Sequence, residues 1–193
     1  MKTLLVTTAL LAGAATAKAA ERYVLDPSHS QILFDYNHLG YSTTWGMFSG
    51  FEGEIMFDQE NPEASSVSVS FPVRSMFTGW EQRFEHFMSE DFFGAGEDEM
   101  VTFESTSIEV TGENTAEITG DLTLNGETRE VVLDAVLNQA GMNPLEEKEW
   151  AGFTATTTLL RSDYGLGMFA PMVGDEVNVT MSVEAARAEA QDS

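Results

Sequence analysis

Apolar side chains recur at every second position through most of this chain. In GDEVNVTMSVEA, residues 174–185, Val177, Val179, Met181 and Val183 alternate with Asn178, Thr180 and Ser182. In SSVSVSFPV, residues 65–73, Val67, Val69, Phe71 and Val73 alternate with serines. A helix would scatter such a set around its circumference, whereas a strand points alternate side chains to opposite sides and collects the set on one face. The pattern predicts about eight strands: 23–26 continuing into 30–38, then 47–58, 66–73, 100–110, 115–124, 127–138, 150–160 and 175–185. Within them Ile32, Phe34 and Tyr36 share one parity, as do Phe51, Gly53, Ile55 and Phe57.

One turn tests the register. Asn125-Gly126 is a strong hairpin signal because both residues tolerate positive φ. Folding there sets Ile118 opposite Leu133, Gly120 opposite Val131 and Ala116 opposite Ala135, which joins apolar sets to apolar sets. A single segment breaks the rhythm. In TGWEQRFEHFMSEDFF, residues 78–93, Trp80, Phe84, Phe87 and Met88 fall on one face of a helix, and Thr78 with Glu81 has capping-box spacing. Eight antiparallel strands joined by short turns predict an all-β closed barrel or a sandwich, with the helix placed to close one end.

The ends fix the context. MKTLLVTTALLAGAATAKAA reads as a secretory signal, with a basic start, an uncharged run over Leu4–Ala17 and a small-residue cleavage site ending at Ala19. This divides the chain into a leader at 1–19, a single domain at 20–185 and a flexible tail at 186–193. The chain has no cysteine, so stability in an oxidising compartment rests on a core rather than on disulfides. Losing Lys2 and Lys18 leaves seven basic residues against 32 acidic ones, a net charge of −25. Nucleic acid and anionic lipid headgroups repel such a chain.

Two of the three histidines fall in YVLDPSHSQILFDYNHLG, residues 23–40. His29 and His38 are nine positions apart, which on one strand is ~30 Å with opposite facing, so they share neither a metal nor a proton relay. His86 on the helix could meet one of them, but a zinc site needs three or four convergent ligands. The pair therefore reads as architectural, and no metal, cofactor or catalytic residue is assigned. No nucleophile elbow, zinc-protease motif or phosphate loop is present. Arg161 ends an apolar strand and reads either as a headgroup contact or as the partner of Asp163 or another local carboxylate. In YGLGMFAPMVG, residues 164–174, Met168, Phe169 and Met172 form an apolar loop suited to a portal or an interaction surface.

Taken in order, YVLDPSHSQILFDYNHLG, GMFSGFEGEIMFD, RFEHFMSEDFF, MVTFESTSIEV, ITGDLTLNGETREVVLDAVL, AGFTATTTLLRSDYGLG and VGDEVNVTMSVEA resemble the YceI-like family over nearly the whole mature chain. The resemblance implies a periplasmic, lipocalin-like antiparallel barrel whose elongated apolar cavity holds a polyisoprenoid such as a quinone tail, with no established catalysis. The positions matching the family pattern are His29, Ser30, His38, Gly40, Arg83, His86, Phe92, Phe93, Arg161 and Gly165. One motif departs. The family's usual Arg-Asp-x-His-Leu reads Arg83-Phe84-Glu85-His86-Phe87 here, which removes an Arg–Asp pairing and predicts a bulkier helix end and a cavity shorter than, or shaped differently from, that of relatives.

The expected lining comprises Phe34, Tyr36, Phe51, Phe57, Phe71, Trp80, Phe84, Phe87 and Phe103, chosen by inward parity or by position on the helix face. Met168 and Phe169 are expected at the portal. The leading expectation is a periplasmic carrier of an isoprenoid lipid, a polyprenol or a quinone tail. An enzyme using His86 with Arg83 or Arg161 at the cavity mouth, and a ligand-free stress-response or interaction protein with a filled barrel, are the alternatives. Family context implies a transient membrane redox partner, and pairing of two barrels stays open.

Overall fold

The computed structural model describes residues 19–189, so all but the last residue of the expected leader lies outside the described residues. The alternating segments form ten strands: β1 (Glu21–Leu25), β2 (Gln31–His38), β3 (Ser42–Phe48), β4 (Glu52–Phe57), β5 (Ser66–Pro72), β6 (Met100–Val110), β7 (Thr115–Leu124), β8 (Glu127–Met142), β9 (Glu149–Leu160) and β10 (Val173–Arg187). Every pairing is antiparallel. The order β1-β4-β5-β6-β7-β8-β9-β10 returns to β1 and closes an eight-stranded barrel. Two staves are broken. β2 continues β1 along the same side of β10, and β3 precedes β4 on the next stave. The upper end of the barrel carries the 38–42 turn, the 73–99 segment, the 125–126 turn and the 161–172 segment, and the lower end carries the start of β1 and the end of β10.

The hairpin register is as its turn requires: Ile118 faces Leu133, Gly120 faces Val131 and Ala116 faces Ala135, with Asn125 and Gly126 at φ of 52° and 75°. Three expectations need correction. The run 47–58 is not one strand. The chain kinks at Gly50, φ 72°, between β3 and β4, and the kink resets the alternation so that Phe48 and Phe51, an odd number apart, both turn inward. The strand expected to stop at 185 runs to Arg187, whose guanidinium bonds Glu21 at 2.6 Å and Glu149 at 2.5 Å. These bonds tie Ala186 and Arg187 to the barrel rather than to a tail, and the Glu149 bond raises the Arg187 pKa further.

The third correction concerns α1 (Glu81–Met88). Thr78 and Glu81 make no capping box; Trp80 is the N-cap and uses no side-chain bond. The Thr78 hydroxyl instead donates to the Trp80 carbonyl at 2.8 Å, and Arg83 donates to the Thr78 carbonyl at 3.0 Å. Ahead of the helix, Phe77 lies along β3 and exchanges two backbone bonds with Met47 at 3.0 and 2.7 Å. That bridge covers the edge which β3, unlike β4, leaves unpaired with β5, and an unpaired edge is otherwise a template for aggregation.

Candidate functional site

Inward-facing side chains do not fill the barrel. They line a cavity of about 990 Å³, at the upper end of the range for small-molecule sites. The volume arises from the pattern itself. Where rings point inward from β2, β3, β4 and β5 they stack on one another: Phe34 on Phe48 at 5.4 Å, Phe48 on Phe71 at 5.1 Å and Phe51 on Phe71 at 5.0 Å. The opposite wall is built from small and branched residues, with Ala135 on β8 directly across from Ala155 on β9. One wall is therefore thick and the other thin, and the space between them stays open. This rules out the filled-barrel alternative as a description of the interior.

Of the expected lining, Phe34, Tyr36, Phe51, Phe57, Phe71, Trp80, Phe87, Phe103 and Phe169 border the cavity. Phe84 does not. It packs against the core beside Arg74, whose guanidinium lies 5.5 Å over its ring, so Phe84 does not shorten the cavity. Met168 is also absent from the lining, and its carbonyl accepts a bond from Arg161 at 2.8 Å. Sequence reasoning missed Phe48, hidden by the Gly50 kink, and Phe153 on β9. The parity of Phe153 with Ala151, Ala155 and Leu159 was the available signal, diluted by the threonines around it.

Polar groups in the lining separate by end. At the upper end stand Tyr36, His38, Ser42, Thr44, Arg83, His86 and Arg161; at the lower end stand Gln59, Ser65, Glu113, Asn114 and Thr115. Glu113 is the one carboxylate among the described lining residues, in a chain with 32 acidic residues. The other described acids lie outside the lining, and the upper mouth is donor-rich. Burial raises the pKa of the Tyr36 phenol, while Arg83, a bond from Thr44 and Arg161 pull it the other way.

Among the described residues Arg161 pairs with no carboxylate, Asp163 included. Its guanidinium donates to the carbonyls of Gly174 at 2.8 Å, Met168 at 2.8 Å and Val173 at 2.9 Å, and to that of Leu166. Burial lowers its pKa, and Asp175 and Tyr36 oppose that shift. Its charge thus remains at the mouth while its donors hold the 161–174 segment in shape. Gly165, φ 72°, ends the 3₁₀ turn over Arg161–Tyr164, a conformation in which a side chain would be strained. Tyr164 and Leu166 in this segment are buried, so only its far part forms a rim. Asn125 donates to the Tyr164 carbonyl at 2.8 Å, pinning the segment to the neighbouring hairpin turn.

The histidines divide as their spacing requires. His29 lies outside the cavity and donates to Asp26 at 2.5 Å, while Ser28 donates to the other oxygen of the same carboxylate at 2.8 Å. Ser30, buried, exchanges long bonds with the Glu184 backbone at 3.3 and 3.4 Å and joins β1–β2 to β10. His38 reaches the mouth at the end of β2, where Gly40, φ 75°, turns the chain and donates to Asn37 at 2.8 Å. His86 packs edge-on against Phe92 at 5.0 Å, with Phe169 at 6.5 Å and Asp91 at 3.7 Å. Phe93 joins the lining behind them. Among the described residues, no group of three or more His, Asp or Glu is placed to hold a metal.

Fold and site together define a class: a closed antiparallel barrel around an apolar cavity, with donors gathered at one end. The comparisons place it more closely. A sequence model of the YceI-like domain matches residues 23–185, and the chain belongs to that family. A UPF0312 protein of Ectopseudomonas mendocina is 41% identical over 173 residues, 89% of this chain and 90% of the relative. Among solved structures, the YCEI protein of Campylobacter jejuni superposes with a TM-score of 0.72 at 28% identity, covering 79% of this chain and 90% of that one. BcnA of Burkholderia cenocepacia, TM-score 0.75 at 23% identity, covers 83% and 99% and shares the fold. So does a polyisoprenoid binding domain from Saccharophagus degradans, TM-score 0.65 at 14% identity, covering 89% and 100%.

Proposed function

We propose that this protein is an exported, periplasmic carrier of an isoprenoid lipid, with the tail in the barrel and the headgroup at the upper mouth. The observation that carries the reading is the cavity of about 990 Å³, apolar along its length and free of carboxylates except for Glu113 at the lower end. Burial of chain contributes ~0.8 kcal/mol per CH₂, so each five-carbon unit contributes roughly 3 kcal/mol before ordering costs. No catalysis is needed for tight binding. The donor set of Tyr36, Arg83 and Arg161 suits a headgroup that accepts hydrogen bonds, as a quinone carbonyl or an oxygen-bearing prenol does. A structural neighbour described as polyisoprenoid-binding supports the class of cargo. If the cargo is a quinone, a membrane redox protein fits as donor or acceptor.

Mass spectrometry of an organic extract from protein purified natively from the periplasm, without detergent, tests this. One stoichiometric isoprenoid species is the expected result. An empty extract that stays empty after incubation with quinones and polyprenols overturns the reading.

A further inference from the structure

Exposed apolar side chains surround the same mouth. Leu39, Tyr41, Trp80, Phe169 and Met172 are all exposed, Tyr41 by 91% and Met172 by 65%. They come from three separate segments that the fold gathers at one end. The pairing of Val173 with His38 sets Met172 beside Leu39, and Phe169 meets His86 and Phe92 at 6.5 and 6.3 Å against α1. Trp80, 59% exposed, borders the cavity and carries the Arg83 guanidinium 5.8 Å from its ring.

Charge is withdrawn from the same place. Residues 36–51 and 164–174 contain no Asp, Glu, Lys or Arg in a chain that has 41 such residues. Four of the seven cationic residues after the leader, Arg22, Arg129, Lys148 and Arg187, pair with carboxylates. Among the described residues Arg74, Arg83 and Arg161 have no such partner and donate to backbone carbonyls instead; all three belong to segments at the upper end. The two runs are therefore where this acidic molecule presents no Asp, Glu, Lys or Arg side chain to its surroundings. Acids do occur elsewhere at the upper end, seven of them in the 73–99 segment, but not in the two uncharged runs.

We propose that this rim docks on the surface of a bilayer with neutral headgroups, and that it does so to let cargo pass between membrane and cavity; the second clause rests on the carrier reading. Tyr and Trp, apolar in body and polar at the tip, favour the headgroup level of a bilayer. The turn and loop carry no Asp, Glu, Lys or Arg whose charge would lose hydration there. A bilayer also explains why the patch surrounds the cavity mouth: a tail leaving the membrane enters the barrel without crossing water.

The test is flotation of the mature chain with phosphatidylcholine vesicles, comparing the wild type with Tyr41→Asp/Met172→Asp and with Leu145→Asp. Neither Tyr41 nor Met172 lines the cavity, and Leu145, 90% exposed, lies at the lower end. The double variant is expected to lose vesicle binding more than tenfold, while Leu145→Asp binds as the wild type does. Uptake of a prenol added from ethanol is expected to be unchanged in the double variant. Flotation reads docking without cargo, and uptake from ethanol reads cargo binding without docking, so the two readings fail separately. A wild type that does not float, or equal loss in Leu145→Asp, overturns the proposal. So does a double variant that floats normally but turns a dimer into a monomer, which would assign the rim to a second copy.

Discussion

The Phe34 ring lies directly over Gly46, its cross-strand partner on β3: a Cβ at Gly46 would fall 2.1 Å from the ring's Cζ. The glycine is the space in which the ring rests, and Phe34 in turn supports the Phe48–Phe71–Phe51 stack. Gly46→Ala is expected to destabilise the protein by about 1–3 kcal/mol through overpacking. In a Phe34→Ala background the same substitution should cost far less. A urea-unfolding double-mutant cycle checks the coupling, and additive costs would refute it.

Ala135 and Ala155 mark the thin wall of the cavity, and both are buried. Ala155→Phe should therefore fill open space rather than strain the core, leaving the melting temperature unchanged or raised. Displacing even two methylenes of a bound tail costs ~1.6 kcal/mol, so affinity for long prenols should fall at least tenfold while short ones still bind. A prenol-length series measured by fluorescence competition reads this directly.

Arg161 holds four carbonyls with one planar fork, a task the single ammonium of lysine does not reproduce. Arg161→Lys should cost about 3 kcal/mol, because bonds to a charged donor are lost and carbonyls are left without partners. The damage should be local. Limited proteolysis is expected to cut first within 165–172, and cleavage spread evenly over the chain would contradict the assignment.

His29 and Asp26 give the protein a pH-dependent element outside the cavity. Burial alone would raise the Asp26 pKa, but bonds from His29 and Ser28 outweigh it and hold the carboxyl below its usual 3.8. The Asp26 bond raises His29 above its usual 6.5. The His29 contribution is complete below pH 6.5 and fades as the pH rises through the raised value. The Asp26 contribution is complete above pH 3.8 and fades as the pH falls through the lowered value. The pair thus stabilises the β1–β2 corner most between those limits. An NMR titration of His29 should show its pKa above 6.5, returning towards that value in Asp26→Asn.

The strands, the Asn125-Gly126 register and the inward parity of Phe34, Tyr36, Phe57, Phe71 and Phe103 were legible in the sequence alone. Strand alternation is a local property with a period of two, so each inward residue announces itself through its neighbours. The resemblance added the closed barrel, which alternation cannot separate from a sandwich. What tertiary structure decided lies where that periodicity stops. Gly50 breaks a stave and turns Phe48 inward. Trp80 and Phe84, one helical turn apart, part company because α1 packs across the barrel's end, leaving one at the mouth and the other under Arg74. Arg161 takes carbonyls rather than a nearby carboxylate because its own segment folds around it. The rim of Tyr41, Phe169 and Met172 exists only because closing the barrel brings the ends of distant strands together, and no local pattern encodes that meeting.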